Sequence, residues 1–143
     1  MISNRKHGFE TFDHTADIGI RAWGSELAQV FEEIAKALFS VVVELNTVSA
    51  RQKMEVTLRA DSDGNLLLAW LKELLFIFET KHLLFSNFKI LNLKSGVLTA
   101  EISGEPVNPA KHLLGREVKA ITLHQFKLIR EKSRYLAEVI LDI

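Results

Sequence analysis

The segment from Leu27 to Val42 constrains the fold most, because its apolar residues recur at steps of three and four. This spacing places them on one face of an α-helix. They are Leu27, Val30, Phe31, Ile34, Ala35, Leu38, Phe39 and Val42. Ser25 is the expected N-cap of this helix, and Glu26 suits its positive end. The pattern predicts a long amphipathic helix with Glu32, Glu33 and Lys36 on its solvent side.

A second helical pattern runs from about Asn65 to Thr80, after a turn-forming run at 61–64. Its main apolar stripe is widened well beyond one face by Leu66, Leu68, Phe76 and Ile77. Either a sheet and the first helix bury this helix from two sides, or it keeps an apolar surface for a partner. The first interpretation is favoured, because two helices that share a sheet face must also touch each other.

Alternating apolar and polar residues predict strands around the two helices. The expected strands are 8–12, 18–23, 53–59, 84–93, 97–103, 117–130 and 134–143. Gly104 to Pro109 should break regular structure because proline cannot donate to a ladder, and Thr122, His124 and Phe126 should share one strand face. The element order predicts an α+β two-layer sandwich, with two helices packed on one face of a mostly antiparallel (mixed) sheet.

Composition limits the class of protein further. The 143 residues fit a single domain over 1–143, and 18 basic against 18 acidic residues argue against a direct electrostatic nucleic-acid binder. A protein that meets RNA only through a partner is still compatible with this balance. The lack of cysteine excludes disulfides, thiolate metal sites and cysteine nucleophiles. No secretory signal or bilayer-spanning run is visible, so a cytoplasmic location is expected.

The densest polar chemistry lies between the first two strands, from Asp13 to Gly19. This run includes two carboxylates (Asp13 and Asp17), the imidazole of His14 and the hydroxyl of Thr15. Loops held by flanking strands are frequent binding sites. The same residue types also form ordinary turns for local reasons, so the run alone is equally compatible with a turn.

The chain end supplies a second acidic feature. Asp142 is penultimate and flanked by apolar residues, so its carboxylate lies close to the terminal carboxylate of Ile143. If Asp17 lies beside this end, the clustered carboxylates repel each other unless they are protonated or bridged by a cation. All-oxygen ligation suits calcium, magnesium or manganese rather than zinc. Taken alone, Asp142 is more simply a solvated chain end.

Other polar residues give weaker signals. Lys111 and His112 lie in a proline-bracketed loop, as contact residues or as solvated side chains. His124 in the sixth expected strand is more typical of a hydrogen-bonded structural residue than of a base. The sequence shows no nucleophile elbow and no glycine-rich phosphate loop, which disfavours a self-sufficient enzyme such as a metal-dependent hydrolase.

Three separated motifs resemble the archease family. The first runs from Asp13 to Ile20 with Ala22 to Gly24 after it, the second from Glu117 to Thr122, and the third from Ile140 to Ile143. The resemblance implies a non-catalytic protein cofactor of the GTP-dependent tRNA-splicing RNA ligase. Such a protein promotes guanylylation of the ligase, supports its multiple turnover and broadens its nucleotide use.

The resemblance also implies a metal site, with calcium as the expected ion and magnesium or manganese as alternatives. Its ligands would be Asp17, Asp142 and Ile143, the last through backbone or terminal oxygens. Supporting or partner-contact roles are expected for Asp13, His14, Lys111, His112, Lys119 and His124.

Two positions depart from the family pattern. Leu123 stands where a tyrosine is common, and Asp13 stands where glutamate is more usual. Neither departure touches the expected ligands. A second role suggested by the resemblance is that of a chaperone or specificity modulator of a tRNA-modifying methyltransferase, which would depend more on the apolar face of the second helix and on Phe76.

Overall fold

A computed structural model describes residues 6–14 and 16–143 of the chain. Thr15, the hydroxyl residue of the first motif, lies outside the described residues. The elements are β1 (Gly8–His14), β2 (Asp17–Gly24), α1 (Leu27–Val42), β3 (Gln52–Arg59), α2 (Asp63–Lys81), β4 (Leu83–Lys94), β5 (Val97–Pro106), β6 (Ala120–Glu131) and β7 (Arg134–Asp142), with a short 3₁₀ turn at Leu45–Thr47. The predicted α+β class and the predicted order of elements are confirmed.

The described strands form two antiparallel sheets where the sequence predicted one. The four-stranded sheet has the order β1-β2-β7-β6, and the three-stranded sheet has the order β3-β5-β4. α1 contacts β1, β2 and β7 of the first sheet and β4 of the second, while α2 contacts β6 and all three strands of the second. Both helices therefore bury apolar side chains against two sheets, and α2 also touches α1. No helix in the described ranges is long and apolar enough to cross a membrane.

The start of α1 differs from the prediction by one residue. The N-cap is Glu26 and not Ser25. The side-chain oxygen of Gln29 accepts the backbone N–H groups of Ser25 at 2.9 Å and of Glu26 at 3.2 Å. It also accepts the Ser25 hydroxyl at 3.0 Å, so Ser25 is held outside the helix.

Glu33 was expected on the solvent side of α1, and this expectation is wrong. Its side chain is buried, and one carboxylate oxygen lies 3.1 Å from Nζ of Lys36 and 3.3 Å from Nδ1 of His7. A charged group can be buried when it is paired in this way. A pattern based on periodicity cannot show such a partner.

The wide apolar stripe of α2 is explained by its position between the two sheets. Leu66, Leu68 and Ile77 are buried, whereas Phe76 remains 58% exposed. Within the core, the indole Nε1 of Trp70 donates to the main-chain oxygen of Phe31 in α1 at 2.9 Å. The favoured interpretation, burial of the helix by a sheet and by the first helix, therefore holds for most of α2, and contacts with a second sheet add to this burial.

The break expected over Gly104 to Pro109 begins only at residue 107, since β5 continues to Pro106. The pairing with β3 ends at Gln52 and Gly104, so Pro106 is not required to donate to that neighbour. Gly104 approaches the backbone of β4 so closely that a Cβ there would lie 1.7 Å from the carbonyl oxygen of Leu84. Glycine is thus required at this position.

The sixth strand begins at Ala120 rather than at residue 117, and it is irregular. Its register with β7 shifts between Thr122 and Lys127, and Gln125 has a φ of 53°. This bulge interrupts the alternation that was expected to place Thr122, His124 and Phe126 on one face. A bulge redirects side chains locally and increases the twist of a strand.

Candidate functional site

Strand register brings the first motif and the chain end to the same end of the four-stranded sheet. Ile18 of β2 pairs with Leu141 of β7, so the next step along the two antiparallel strands places Asp17 beside Asp142. His14 of β1 pairs with Asp17 on its other side. The three residues His14, Asp17 and Asp142 therefore form one row across adjacent strands, where side chains of neighbouring positions are about 5 Å apart.

This row lies on the face of the sheet that points away from the helices. Ile20 and Val139 belong to the buried face, and side chains alternate between faces along a strand. Arg21 and Glu138, an even number of positions from Asp17 and Asp142, form an ion pair at 2.5 Å on the outward face. The two carboxylates consequently share the accessible face.

Arg21 forms ion pairs on the outward face of the sheet, close to the row. Arg21 also pairs with Glu10 at 3.1 Å, and its guanidinium lies 4.4 Å from the ring centroid of Phe12. Burial alone would lower the pKa of Arg21, but hydrogen bonds and charge attraction from Glu138 and Glu10 raise it above its ordinary value. The positive charge of Arg21 is thus already balanced by two carboxylates of the sheet.

The carboxylates of the row have no such counter-charge. No described residue forms a hydrogen bond or ion pair with the side chain of Asp17 or Asp142, and Asp142 is exposed. The main-chain oxygen of Asp142 accepts the N–H of Lys119 at 2.7 Å, which holds the last strand in place. Adjacent carboxylates without a cationic partner favour binding of a cation.

Among the described residues, no three His, Asp or Glu side chains are grouped closely enough to hold a metal ion. A cation at this position would therefore need oxygens from outside the side chains in addition to Asp17 and Asp142. The backbone oxygen of Ile143, the residue after Asp142, is the group expected to supply one. An all-oxygen set of this kind suits a hard cation, and the expected ligands thus fit calcium, magnesium or manganese in donor chemistry.

The β6 bulge brings two further side chains to the row. The Nε2 atom of His14 lies 3.0 Å from the side-chain oxygen of Gln125, and the His14 and His124 rings meet edge to face at 5.4 Å. The Nδ1 atom of His14 is buried and has no hydrogen-bond partner among the residues that the structure describes. Leu123 is 68% exposed. Gln125 was not singled out in the sequence, because a bulge leaves no periodic signal.

Lys111 and His112 are positioned by a buried carboxylate that sequence reasoning missed. Glu105 is 3% exposed, and its Oε2 accepts from Lys111 Nζ at 2.6 Å, His112 Nε2 at 2.8 Å and Ser49 N at 2.8 Å. These hydrogen bonds, that of Lys111 foremost, lower the pKa of Glu105 to about 2. The His112 ring is fully buried, so it faces Glu105 rather than the surface. Lys111 is partly exposed.

The remaining expected contact residues are Asp13 and Lys119, whose side chains are both exposed. Asp13 pairs with Ile18 in the ladder and so points to the opposite face from His14. Lys119 directly precedes β6 and is held to Asp142 through its backbone. The structure thus groups His14, Asp17, Asp142, Lys119 and His124 at one sheet end.

Comparison with known proteins gives a consistent picture. The model of the archease protein family matches residues 9–143. A protein archease of Pyrococcus furiosus is 36% identical over 139 residues, covering 94% of this chain and 98% of the relative. A protein archease of Pyrococcus abyssi is 40% identical over 139 residues, with the same coverage of 94% and 98%.

Solved structures share the fold. The solution structure of Methanobacterium thermoautotrophicum protein 1598 is 40% identical with a TM-score of 0.84, covering 95% of this chain and 99% of that one. The crystal structure of a Thermotoga maritima archease, described as a possible chaperone, has a TM-score of 0.62 at 16% identity. It covers 94% of this chain and 96% of its own, and at this identity it supports the fold alone.

Proposed function

The chain belongs to the archease family, and on that basis we propose that it is a non-catalytic activator of the GTP-dependent tRNA-splicing RNA ligase. In this role it promotes guanylylation of the ligase and its multiple turnover, and it broadens nucleotide use. It acts in the cytoplasm and meets RNA only through the ligase. The observation that carries the proposal is the row of Asp17 beside Asp142 on the outward sheet face, where a partner protein can reach it.

In the proposed site, Asp17 and Asp142 supply carboxylate oxygens and Ile143 supplies backbone or terminal oxygens to a divalent cation, most simply calcium. A bound cation would neutralise the carboxylates and offer positive charge to phosphate oxygens of the nucleotide. Lys119, whose backbone N–H binds the main-chain oxygen of Asp142, carries an exposed positive charge at this end of the sheet, and a lysine suits phosphate contact as a point charge. His14 in the row and His124 beside it are available for contacts with the ligase.

The test is ligase guanylylation with GTP and manganese, with and without this protein. The wild-type chain should accelerate guanylylation, whereas an Asp17→Asn variant should lose about tenfold or more of the acceleration, because asparagine keeps an oxygen but loses the negative charge that attracts the cation. Glu55→Gln is the matched control, because Glu55 is exposed on β3 in the other sheet. Equal acceleration by Asp17→Asn would contradict the metal part of the proposal.

The non-catalytic part has its own experiment. The protein alone is incubated with GTP, magnesium or manganese, and RNA, and hydrolysis products are measured. No turnover above buffer is expected, because the described site offers carboxylates but no nucleophile paired with a base. Turnover that disappears in Asp17→Asn would instead identify a metal-dependent hydrolase.

A second candidate function is that of a chaperone or specificity modulator of a tRNA-modifying methyltransferase. The exposed side chain of Phe76 on α2, at 58%, is the observation that favours it, because exposed apolar residues can bind partners. Under this alternative, Phe76→Ser should weaken protection of the methyltransferase against aggregation, and Asp17→Asn should not. If Asp17→Asn weakens ligase activation and Phe76→Ser affects neither assay, the result would support the role of ligase activator.

A further inference from the structure

The long connection between β5 and β6, residues 107–119, begins at a buried charge cluster and ends at the carboxylate row. Glu105, one residue before the end of β5, accepts three hydrogen bonds on one oxygen, from Lys111, His112 and Ser49. We call Glu105, Lys111 and His112 the buried clasp. Its carboxylate is 3% exposed and its imidazole side chain is fully buried.

The clasp has a defined proton arrangement. The backbone N–H of Asn108 can only donate, and it lies 2.9 Å from Nδ1 of His112, so Nδ1 accepts. The proton of a neutral His112 is therefore on Nε2 and is donated to Glu105 at 2.8 Å. Both ring nitrogens therefore form hydrogen bonds. Nδ1 binds the backbone of Asn108 within the same loop, and Nε2 binds Glu105 of β5.

Beyond the clasp, main-chain hydrogen bonds hold the connection across the C-terminal end of α1. Gly115 N donates to Val42 O at 2.7 Å and Arg116 N to Val41 O at 2.8 Å, which satisfies carbonyls that the helix itself leaves unpaired. A Cβ on Gly115 would lie 2.4 Å from the Val41 oxygen, so the connection packs closely against the end of α1. The last of these bonds joins Lys119 N to Asp142 O at 2.7 Å.

We propose that Glu105 is a positioning residue whose clasp orders the 107–119 connection and so places Lys119 against Asp142 in the carboxylate row. Its importance for ligase activation rests on the function proposed above. The ordering of the connection does not, because it depends only on contacts within the chain. Lys111 and His112 thereby affect the site through the backbone of the connection rather than by touching a partner.

The first measurement is amide hydrogen exchange in a Glu105→Gln variant. A neutral amide is a poorer acceptor for three donors than a carboxylate. We expect exchange of the Gly115, Arg116 and Lys119 amides to accelerate about tenfold or more, while the core amides of Ala22 and Val139 keep their rates. Unchanged exchange in the connection overturns the proposal. Uniform acceleration throughout the protein also overturns it, because Glu105 would then have a general structural role.

Glu101→Gln is the matched control, because Glu101 lies on the same strand but pairs at the surface with Lys53 at 3.8 Å. It should leave exchange in the connection unchanged. Lys111→Met provides the test if Glu105→Gln does not fold, since it removes one donor that is itself 40% exposed. Lys111→Arg retains a cationic donor and should restore most of the protection that Lys111→Met loses.

Ligase guanylylation separates this proposal from the proposed function. If the wild-type chain accelerates the ligase, Glu105→Gln should reduce the acceleration severalfold while Glu101→Gln does not. If Glu105→Gln speeds amide exchange in the connection but still accelerates the ligase as the wild type does, the link between the clasp and the site is overturned. If the wild-type chain does not accelerate the ligase, the proposed function fails, and the exchange data alone decide on the clasp.

Discussion

The carboxylates of this protein differ in whether nearby donors compensate their charge. Glu33 and Glu105 are buried, whereas Asp17 and Asp142 face outward from the sheet. The buried pair is compensated by donors, with Lys36 and His7 at Glu33 and with Lys111, His112 and Ser49 at Glu105. No described group compensates the outward pair. Compensated charges support structure, whereas uncompensated neighbouring carboxylates support cation binding. The proposal that Asp17 and Asp142 bind a cation rests on this contrast.

The buried Glu105 predicts a defined acid sensitivity. Its pKa falls from 4.5 to about 2 on folding, chiefly through the hydrogen bond from Lys111. A group whose pKa is lowered in the folded state stabilises the protein above its unfolded pKa, and this stabilisation is lost as the pH falls towards the folded pKa. The free energy of unfolding should therefore fall between pH 4.5 and about pH 2, and less steeply in Glu105→Gln.

Urea unfolding at several pH values across that window measures this effect. The control is Glu101→Gln, whose surface ion pair should contribute little, so its pH profile should follow the wild type. Parallel profiles for Glu105→Gln and the wild type would show that the carboxylate is not stabilised by its donors.

The sequence pointed to Asp17 and Asp142 because acidic residues next to apolar strand ends are visible in the order of residues. Glu105 was missed because its neighbour Pro106 suggested a break in structure, and because its donors come from segments up to 56 positions away along the chain. Gln125 was missed for a similar reason. Burial and tertiary hydrogen bonds do not leave a local pattern, whereas strand ends and chain ends do.

The two helices illustrate what periodicity can predict. Their positions follow from apolar spacing within a few residues, but the pattern did not show that each helix would contact two sheets. The Trp70 indole joins them by donating to the Phe31 carbonyl at 2.9 Å. In Trp70→Phe this bond is lost, and the free energy of unfolding should fall by about 1 kcal/mol for the bond, plus a packing loss. Urea denaturation measures it, and an unchanged midpoint would contradict the role of the bond.

The strand β5 depends on Gly104 for a different reason. A methyl group there would meet the Leu84 carbonyl at 1.7 Å, and backbone cannot yield as a flexible side chain does. Gly104→Ala should lower the free energy of unfolding by about 3 kcal/mol or more, at the upper end for overpacking. Gly64→Ala is a fitting control, because its Cβ would meet only the Phe126 ring at 3.4 Å. Equal thermal stability of the two variants would argue against the close approach.

Taken as a whole, the molecule joins the first motif and the chain end through the pairing of β2 with β7. The prediction of a single sheet differed from the two observed sheets because alternation identifies strands but not their partners. Bringing Asp17 to Asp142 requires only that β2 and β7 be antiparallel neighbours in the observed register. The α+β class could be predicted from element order, while the division into sheets required the tertiary structure.

The most direct test of the proposed site is calorimetric titration of the whole chain with calcium and manganese. A chain ending at Ile143 is compared with one extended at its C-terminus by a short Gly-Ser segment, which removes the terminal carboxylate from that residue. An N-terminal extension of equal length is the control. The C-terminal extension should weaken binding about tenfold or more, as for loss of a ligand group, and the N-terminal one should not. Equal affinity of all three forms, or no binding by the unextended chain, would contradict the account.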